Sequence, residues 1–408
     1  MKYVVLIGDG MADMPLRDLG DKTPLQYART PSMDVLTQKG VYGMVRTIPQ
    51  GMHPGSDVAN LSILGYNPSE YYSGRAPLEA ASMGIELLED DVAYRCNLVT
   101  LKHNADRTRA IMEDYSGGHI TTEESRVLID EIHKELGSDA IAFYPGISYR
   151  HLMIWSKGSI EVECVPPHDI IGRDIMDYLP VGEGEEVLRK IMMDSLSVLA
   201  RHPVNMKRIN NGERPGNSIW LWGQGKKPSL PTFRDKYSLE GALVSAVDLT
   251  KGLGIYAGFR ILKVPGVTGY LDTNYEGKAE AALKALRDVD FVYVHVEAPD
   301  EAGHSGAYGD KIRAIEDFDT RVVAQVMAGM KAFQKYRILL LPDHPTPVAL
   351  KTHTDTPVPF VMFDNSALRE NKGMTFDEGI GDHDDAIVME EGFRLMDSFI
   401  NGELFTGS

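Results

Sequence analysis

Tyr3-Val4-Val5-Leu6-Ile7 runs into Gly8-Asp9-Gly10, and the reading of that stretch decides the fold. An unbroken apolar run rich in Val, Ile and Leu, with no polar alternation, describes a strand buried on both faces, as in a parallel sheet covered by helices. The pattern recurs twice. Phe291 to Val296 (FVYVHV) leads into Asp300 and His304, and Ile338 to Leu341 (ILLL) leads into Pro342-Asp343-His344, with His353 nine residues further on. Ligands of open parallel sheets bind beyond the carboxyl ends of the strands. Three such ends would gather Asp9, Asp300, His304, Asp343, His344 and His353 at one edge. Each residue alone also fits a turn or a solvated loop; their coincidence at three strand ends makes the set specific. Carboxylate and imidazole ligands without thiolate suit Mn²⁺, Zn²⁺, Co²⁺ or Fe²⁺ better than Ca²⁺. Two such ions can clamp both the attacking and the leaving oxygen of a phosphoryl displacement.

Outward from these strands the chain alternates strands and helices over 1–100. Thr30-Pro31-Ser32 opens a helix that Gly40 ends, and 41–47 is a short strand. Near Val92 the texture changes. Residues 92–101 and 109–113 read as antiparallel strands, Thr121-Thr122-Glu123-Glu124 opens a helix to about 136, short strands follow to 165, and 183–201 is helical. The α/β rhythm returns with a helix over 239–252, a strand near 259–264, a helix over 276–287, the strand 291–296, a helix over 309–332 and the strands 337–341 and 359–363. The metal-bearing strands therefore flank an α+β block. The expected organisation is a discontinuous core of residues 1–105 and 215–408 carrying an inserted domain, 106–214.

The chain has 408 residues, 43% of them hydrophobic, enough for more than one packed core. A net charge of −17, from 42 Lys and Arg against 59 Asp and Glu, argues against nucleic acid or an anionic membrane as partner. Cys96 and Cys164 show no metal-type spacing and imply no disulfide framework. The first apolar run is too short for a signal-peptide core, and no run approaches the ~20 residues of a membrane span. A cytoplasmic protein is expected.

A dimetal phosphotransfer site needs a nucleophile. In His53-Pro54-Gly55-Ser56-Asp57-Val58-Ala59-Asn60, Ser56 falls where a helix begins, so free backbone N–H groups favour an anion there. The same position suits a helix cap. Arg75, Arg150-His151 and His168-Asp169 offer guanidinium and acid/base groups for an anionic substrate.

Together Asp9-Gly10, Thr23-Pro24-Leu25, Ala28 to Asp34, Gly55-Ser56-Asp57, Asp300-x-x-x-His304, Asp343-His344 and His353 resemble the alkaline phosphatase superfamily. Gly74 to Ala80, Trp220 to Gly225 and Ser245 to Asp248 narrow the likeness to its cofactor-independent (2,3-bisphosphoglycerate-independent) phosphoglycerate mutases of archaeal type, over essentially the whole chain. The resemblance implies an alkaline-phosphatase-like α/β core with a mainly parallel sheet and a smaller α+β insert that closes over glycerate. It implies one ion on Asp9, Ser56, Asp343 and His344 and a second on Asp300, His304 and His353. Mn²⁺ is the expected metal, with Zn²⁺, Co²⁺ or Mg²⁺ as alternatives. It implies Ser56 as the residue phosphorylated during interconversion of 2- and 3-phosphoglycerate. A phosphomonoesterase, or a mutase acting on another phosphorylated metabolite, would share the same metal core.

Overall fold

The computed structural model describes residues 1–104 and 109–405. It forms two compact units, Met1–Tyr72 with Ser229–Ser408, and Ser73–Pro228. These joins differ from those expected at 105 and 215, and strand pairing is the reason. Asp91–His103 runs antiparallel to Ser218–Lys226, with Cys96 opposite Leu221, and its other edge pairs with Arg150–Ser156. Both long strands therefore belong to the inserted unit.

The larger unit is built on an eight-stranded sheet in the order Arg260–Ile261, Gly241–Val244, Phe291–Val296, Lys2–Gly8, Tyr336–Leu341, Val358–Asp364, Val41–Val45, Ile387–Met389. The first five strands are mutually parallel; Val358–Asp364 is antiparallel to both of its neighbours. The three runs read from sequence lie side by side at the centre, and Ile7 is level with both His295 and Leu341. That register brings the segments after all three strands to one edge. On one face Val4, Leu6, Val292, Val294, Ile338 and Leu340 share a core with Ile315, Phe318, Val322 and Val326. Each such side chain contributes ~1.5–3 kcal/mol by leaving water.

Two local expectations fail. The helix expected over 239–252 is a strand, Gly241–Val244, followed by a helix, Asp248–Tyr256. A four-residue apolar run has no periodicity of its own, and pairing with Phe291–Val296 settles it. The helix expected over 309–332 is interrupted by a π-helical stretch, Asp319–Val323. At its start the Asp319 carboxylate accepts the backbone N–H groups of Ser32 and Met33 at the head of helix Pro31–Lys39.

The smaller unit is α+β, as expected. Asp91–His103 is the hub of a five-stranded sheet, and the helices Thr122–Leu136 and Glu185–Leu199 pack into its core through Leu128, Ile132, Leu188 and Ile191. Among the described residues no helix is long and apolar enough to cross a membrane.

Candidate metal centre

The edge at which the three central strands end carries the chemistry. Gly10 turns the chain after the first strand with φ +60°, and a Cβ there would lie 2.5 Å from both Asp300 Oδ1 and Thr346 Oγ1. Glycine at this point permits the turn and lets the Asp300 segment approach. Its N–H donates to Asp343 Oδ1 at 3.0 Å, binding the first and third strand ends together.

Asp9, Asp343 and His344 converge. His344 Nε2 lies 3.5 Å from Asp9 Oδ1 and 3.6 Å from Asp343 Oδ2. Asp300, His304 and His353 form a second group, with His304 Nε2 3.3 Å from Asp300 Oδ2 and His353 Nε2 3.5 Å from Asp300 Oδ1. Asp300 and His304 lie one turn apart on helix Ala298–Ser305. The groups adjoin, because Asp9, Asp300 and His344 also present donor atoms within 4.8 Å of one another.

Ser56 begins helix Ser56–Ile63, but it is not the cap. Gly55 occupies that position, and the helix start has no side-chain capping bond. The Ser56 hydroxyl faces the cluster instead, 3.1 Å from His344 Nε2. One turn later Asn60 donates to Asp343 Oδ2 at 2.8 Å and to the Ser56 carbonyl at 2.7 Å, and accepts from Tyr293 Oη at 2.5 Å. The helix is thereby locked to the carboxyl edge of the sheet.

The electrostatics call for cations. Burial, then the Asp343 and Asp300 carboxylates, push the Asp9 carboxyl well above its usual range. Burial would raise Asp343 as well, yet the His344 and His295 imidazoles and the Gly10 amide hold it low. Burial opposes ionisation of Asp300 too, and His304 and His353 outweigh it. For His304 burial acts to lower the pKa, but Asp300 and the Lys351 carbonyl lift it to about 9. Asp9 Oδ1 is buried without a hydrogen-bond partner. Three carboxylates crowded in a dry site, one of them held to its proton by its neighbours, fit divalent ions in donor type and in charge.

Among the described residues a third group, Asp9, His295 and Asp343, also brings donor atoms together. His295 was missed because it sits inside the run FVYVHV, where it reads as part of a buried strand. The polar residue in an otherwise apolar strand was the available signal.

The substrate-type residues fall in the smaller unit. Arg75 heads helix Arg75–Ser82, and Arg150 is exposed at the start of Arg150–Ser156. Both lie close enough to Arg95 for their charges to oppose its protonation, after burial, which lowers its pKa most. Arg95 itself pairs with Glu79 at 3.0 Å and stacks on Trp222, 4.2 Å from the ring centre. His168 packs edge-on against the same Trp222 and stands 3.7 Å from Asp169. His151 is different. It is 1% exposed, burial pushes its imidazole down to about 3, and Nδ1 accepts the Gly146 N–H at 2.9 Å. That bond ties the hairpin between Ile141–Ile147 and Arg150–Ser156, and Nε2 is buried without a hydrogen-bond partner. In sequence Arg95 lies within VAYRCNLVTL, which reads only as a strand.

The fold and site define an α/β protein with a candidate divalent-metal centre and a serine at the carboxyl edge of its sheet. Comparison with known proteins gives the family. The family model for 2,3-bisphosphoglycerate-independent phosphoglycerate mutase matches residues 37–205. A Geobacter sulfurreducens protein named probable 2,3-bisphosphoglycerate-independent phosphoglycerate mutase is 54% identical over 401 residues, covering 98% of this chain and 100% of that protein. The Methanosarcina barkeri enzyme named 2,3-bisphosphoglycerate-independent phosphoglycerate mutase is 54% identical over 381 residues, 93% of this chain and 94% of its own. Of solved structures, the PH0037 protein of Pyrococcus horikoshii superposes with a TM-score of 0.81 at 28% identity, covering 100% of this chain and 98% of that one. The cofactor-independent phosphoglycerate mutase of Thermoplasma acidophilum superposes at 0.67 and 26% identity, covering 98% and 99%. The chain belongs to the 2,3-bisphosphoglycerate-independent phosphoglycerate mutase family.

Proposed function

We propose that this protein interconverts 2-phosphoglycerate and 3-phosphoglycerate through a phosphoserine at Ser56, in glycolysis and gluconeogenesis in the cytoplasm. The observation that carries the reading is the Ser56 hydroxyl, unused as a helix cap and 3.1 Å from His344 within a carboxylate–imidazole cluster. A binding protein would have no need of a serine there.

Asp9, Ser56, Asp343 and His344 would hold one divalent ion, and Asp300, His304 and His353 the other, with Mn²⁺ the metal proposed. Bound there, the ions supply Lewis acidity that lowers the pKa of a hydroxyl and offsets phosphoryl charge. The Ser56 hydroxyl gives up its proton and Oγ attacks phosphorus as the bond to the glycerate oxygen breaks, and that oxygen takes up a proton in return. The first helical turn at Ser56 offers backbone N–H groups to the phosphoryl oxygens. The other glycerate hydroxyl then loses its proton, attacks the phosphoserine and restores the Ser56 hydroxyl.

Between these steps the glycerate must stay and water must be excluded, since a water attack would turn the mutase into a phosphatase. We assign that task to the inserted unit, acting as a lid. Arg75, Arg150 and the newly found Arg95 form the anion-binding group, suited to bidentate contact with carboxylate or phosphate. His168, with Asp169 beside it, takes the acid/base role on the hydroxyls that buried His151 cannot fill. Acid quenching during turnover, followed by peptide mass spectrometry, tests the reading: phosphate is expected on Ser56, and a labelled peptide elsewhere would refute it.

A further inference from the structure

We infer that His295 is a further metal ligand, its Nε2 binding the same divalent ion as Asp9 and Asp343, with Glu297 and Lys278 as the residues that orient it. The inference rests on the dimetal reading above and adds to it a ligand from the middle strand.

His295 is wholly buried on Phe291–Val296, level with Ile7 of the neighbouring strand. Its Nε2 has no hydrogen-bond partner, although it points at two carboxylates. It stands 3.4 Å from Asp9 Oδ2 and 3.8 Å from Asp343 Oδ2. These separations exceed the ~2.7–3.2 Å of a hydrogen bond. They approach those of donor atoms sharing one ion: ligands about 2.0–2.2 Å from a metal at tetrahedral or wider angles stand roughly 3.3 Å or more apart. His344 Nε2, at 3.5 and 3.6 Å from the same two carboxylates, has the same relation to them.

The far side of the ring is built to keep Nε2 as a lone pair. Nδ1 lies 3.2 Å from Glu297 Oε1 and 3.3 Å from Ser245 Oγ, and Ser245 itself donates to Glu297 Oε1 at 2.8 Å. Both neighbours can accept, so Nδ1 carries the hydrogen and Nε2 is free to ligate. Ligating histidines are commonly oriented by a carboxylate in this way. Glu297 is in turn bonded to the ammonium of Lys278, which is also fully buried and donates to the His295 carbonyl at 2.7 Å. Lys278 thus supplies the cation that pairs with Glu297. The negative charge of Asp9 and Asp343 then remains for the metal ion.

The test uses the full-length protein loaded with Co²⁺, whose paramagnetism shifts the N–H protons of ligating imidazoles far from the rest of the ¹H NMR spectrum. His304, His344 and His353 account for three such signals, and His295 adds a fourth. The expected result is four signals in the wild-type protein, with one absent from His295→Asn and that same one displaced in Glu297→Gln. Co²⁺ affinity, read by competition with a chelator, should fall about 10–100-fold in Glu297→Gln and further in His295→Asn. Three signals from a wild-type protein holding two ions would overturn the inference while leaving the dimetal reading intact, and this result does not depend on any variant folding. A His295→Asn protein that binds two ions with wild-type affinity would also overturn it. A protein that takes up no cobalt would sink both.

Discussion

Lys311 and Asp13 are both wholly buried, with the ammonium 2.7 Å from the carboxylate. Lys311 also donates to the carbonyls of Ala12 at 3.0 Å and Thr346 at 2.8 Å, while Asp13 Oδ2 accepts the Val348 N–H at 3.1 Å. This pair thus fastens the loop that follows Asp9 to the loop that follows His344. Removing one partner strands a charge in the interior, at a cost of ~3–5 kcal/mol. Lys311→Met should lower unfolding free energy by that amount in denaturant titrations, and should weaken metal binding although it touches no metal-type residue. Replacing both partners with apolar side chains should recover much of the stability.

Glu378 gives a pH dependence of known sign. The residue is partly buried, its carboxyl accepting from Thr23 Oγ1 at 2.7 Å and from the Asp13 N–H at 2.9 Å. Burial pushes its pKa up to about 7. The folded state therefore keeps a proton that the unfolded chain releases near pH 4.5. Stability from this group is full below that value and declines as pH rises through about 7. Glu378→Gln should match wild type in melting temperature at pH 4.5 and exceed it at pH 8. Equal melting temperatures at both values would contradict the assignment.

Metal and protons compete for the same cluster. Asp300 outweighs burial and lifts His304 to about 9, and the crowded Asp9 also favours its proton. In the metal-free protein the His304 contribution to stability is complete below its ordinary pKa of 6.5 and is lost as pH rises through about 9. Mn²⁺ binding at pH 7 should therefore release at least one proton per protein, seen as a dependence of the calorimetric heat on buffer ionisation enthalpy. Exhaustive chelation should abolish activity and lower the melting temperature; activity surviving it would contradict the metal centre.

The guanidinium group of the smaller unit makes a kinetic prediction. Losing a hydrogen bond to a charged ligand group costs ~1.5–3 kcal/mol. Arg75→Ala and Arg150→Ala should each raise KM for phosphoglycerate by roughly 10–100-fold. Lys190→Ala, on an exposed helix face with Asp194, should leave it unchanged.

The centre of the fold was legible because three unbroken apolar runs can be little else than buried parallel strands, and each announced its terminal Asp or His. Short and non-local features were not. Gly241–Val244 is a strand only because Phe291–Val296 lies beside it. The joins at 72 and 228 depend on Asp91–His103 finding Ser218–Lys226, more than a hundred residues away. For single side chains the difficulty was direction. Arg150 and His151 are neighbours in sequence, but strand alternation sends one to solvent and the other into the core. In local sequence Ser56 reads first as a helix cap; Gly55 takes that position, and the Ser56 hydroxyl lies 3.1 Å from His344 Nε2.

The central claim is that Ser56 carries a phosphoryl group between the two hydroxyls of one glycerate. Incubation of the Mn²⁺-loaded protein with 3-phosphoglycerate, with 2-phosphoglycerate and free phosphate measured together, tests it most directly. The account predicts 2-phosphoglycerate far in excess of phosphate from the wild type and neither product from Ser56→Ala. Phosphate as the main product, or wild-type isomerisation by Ser56→Ala, would contradict it.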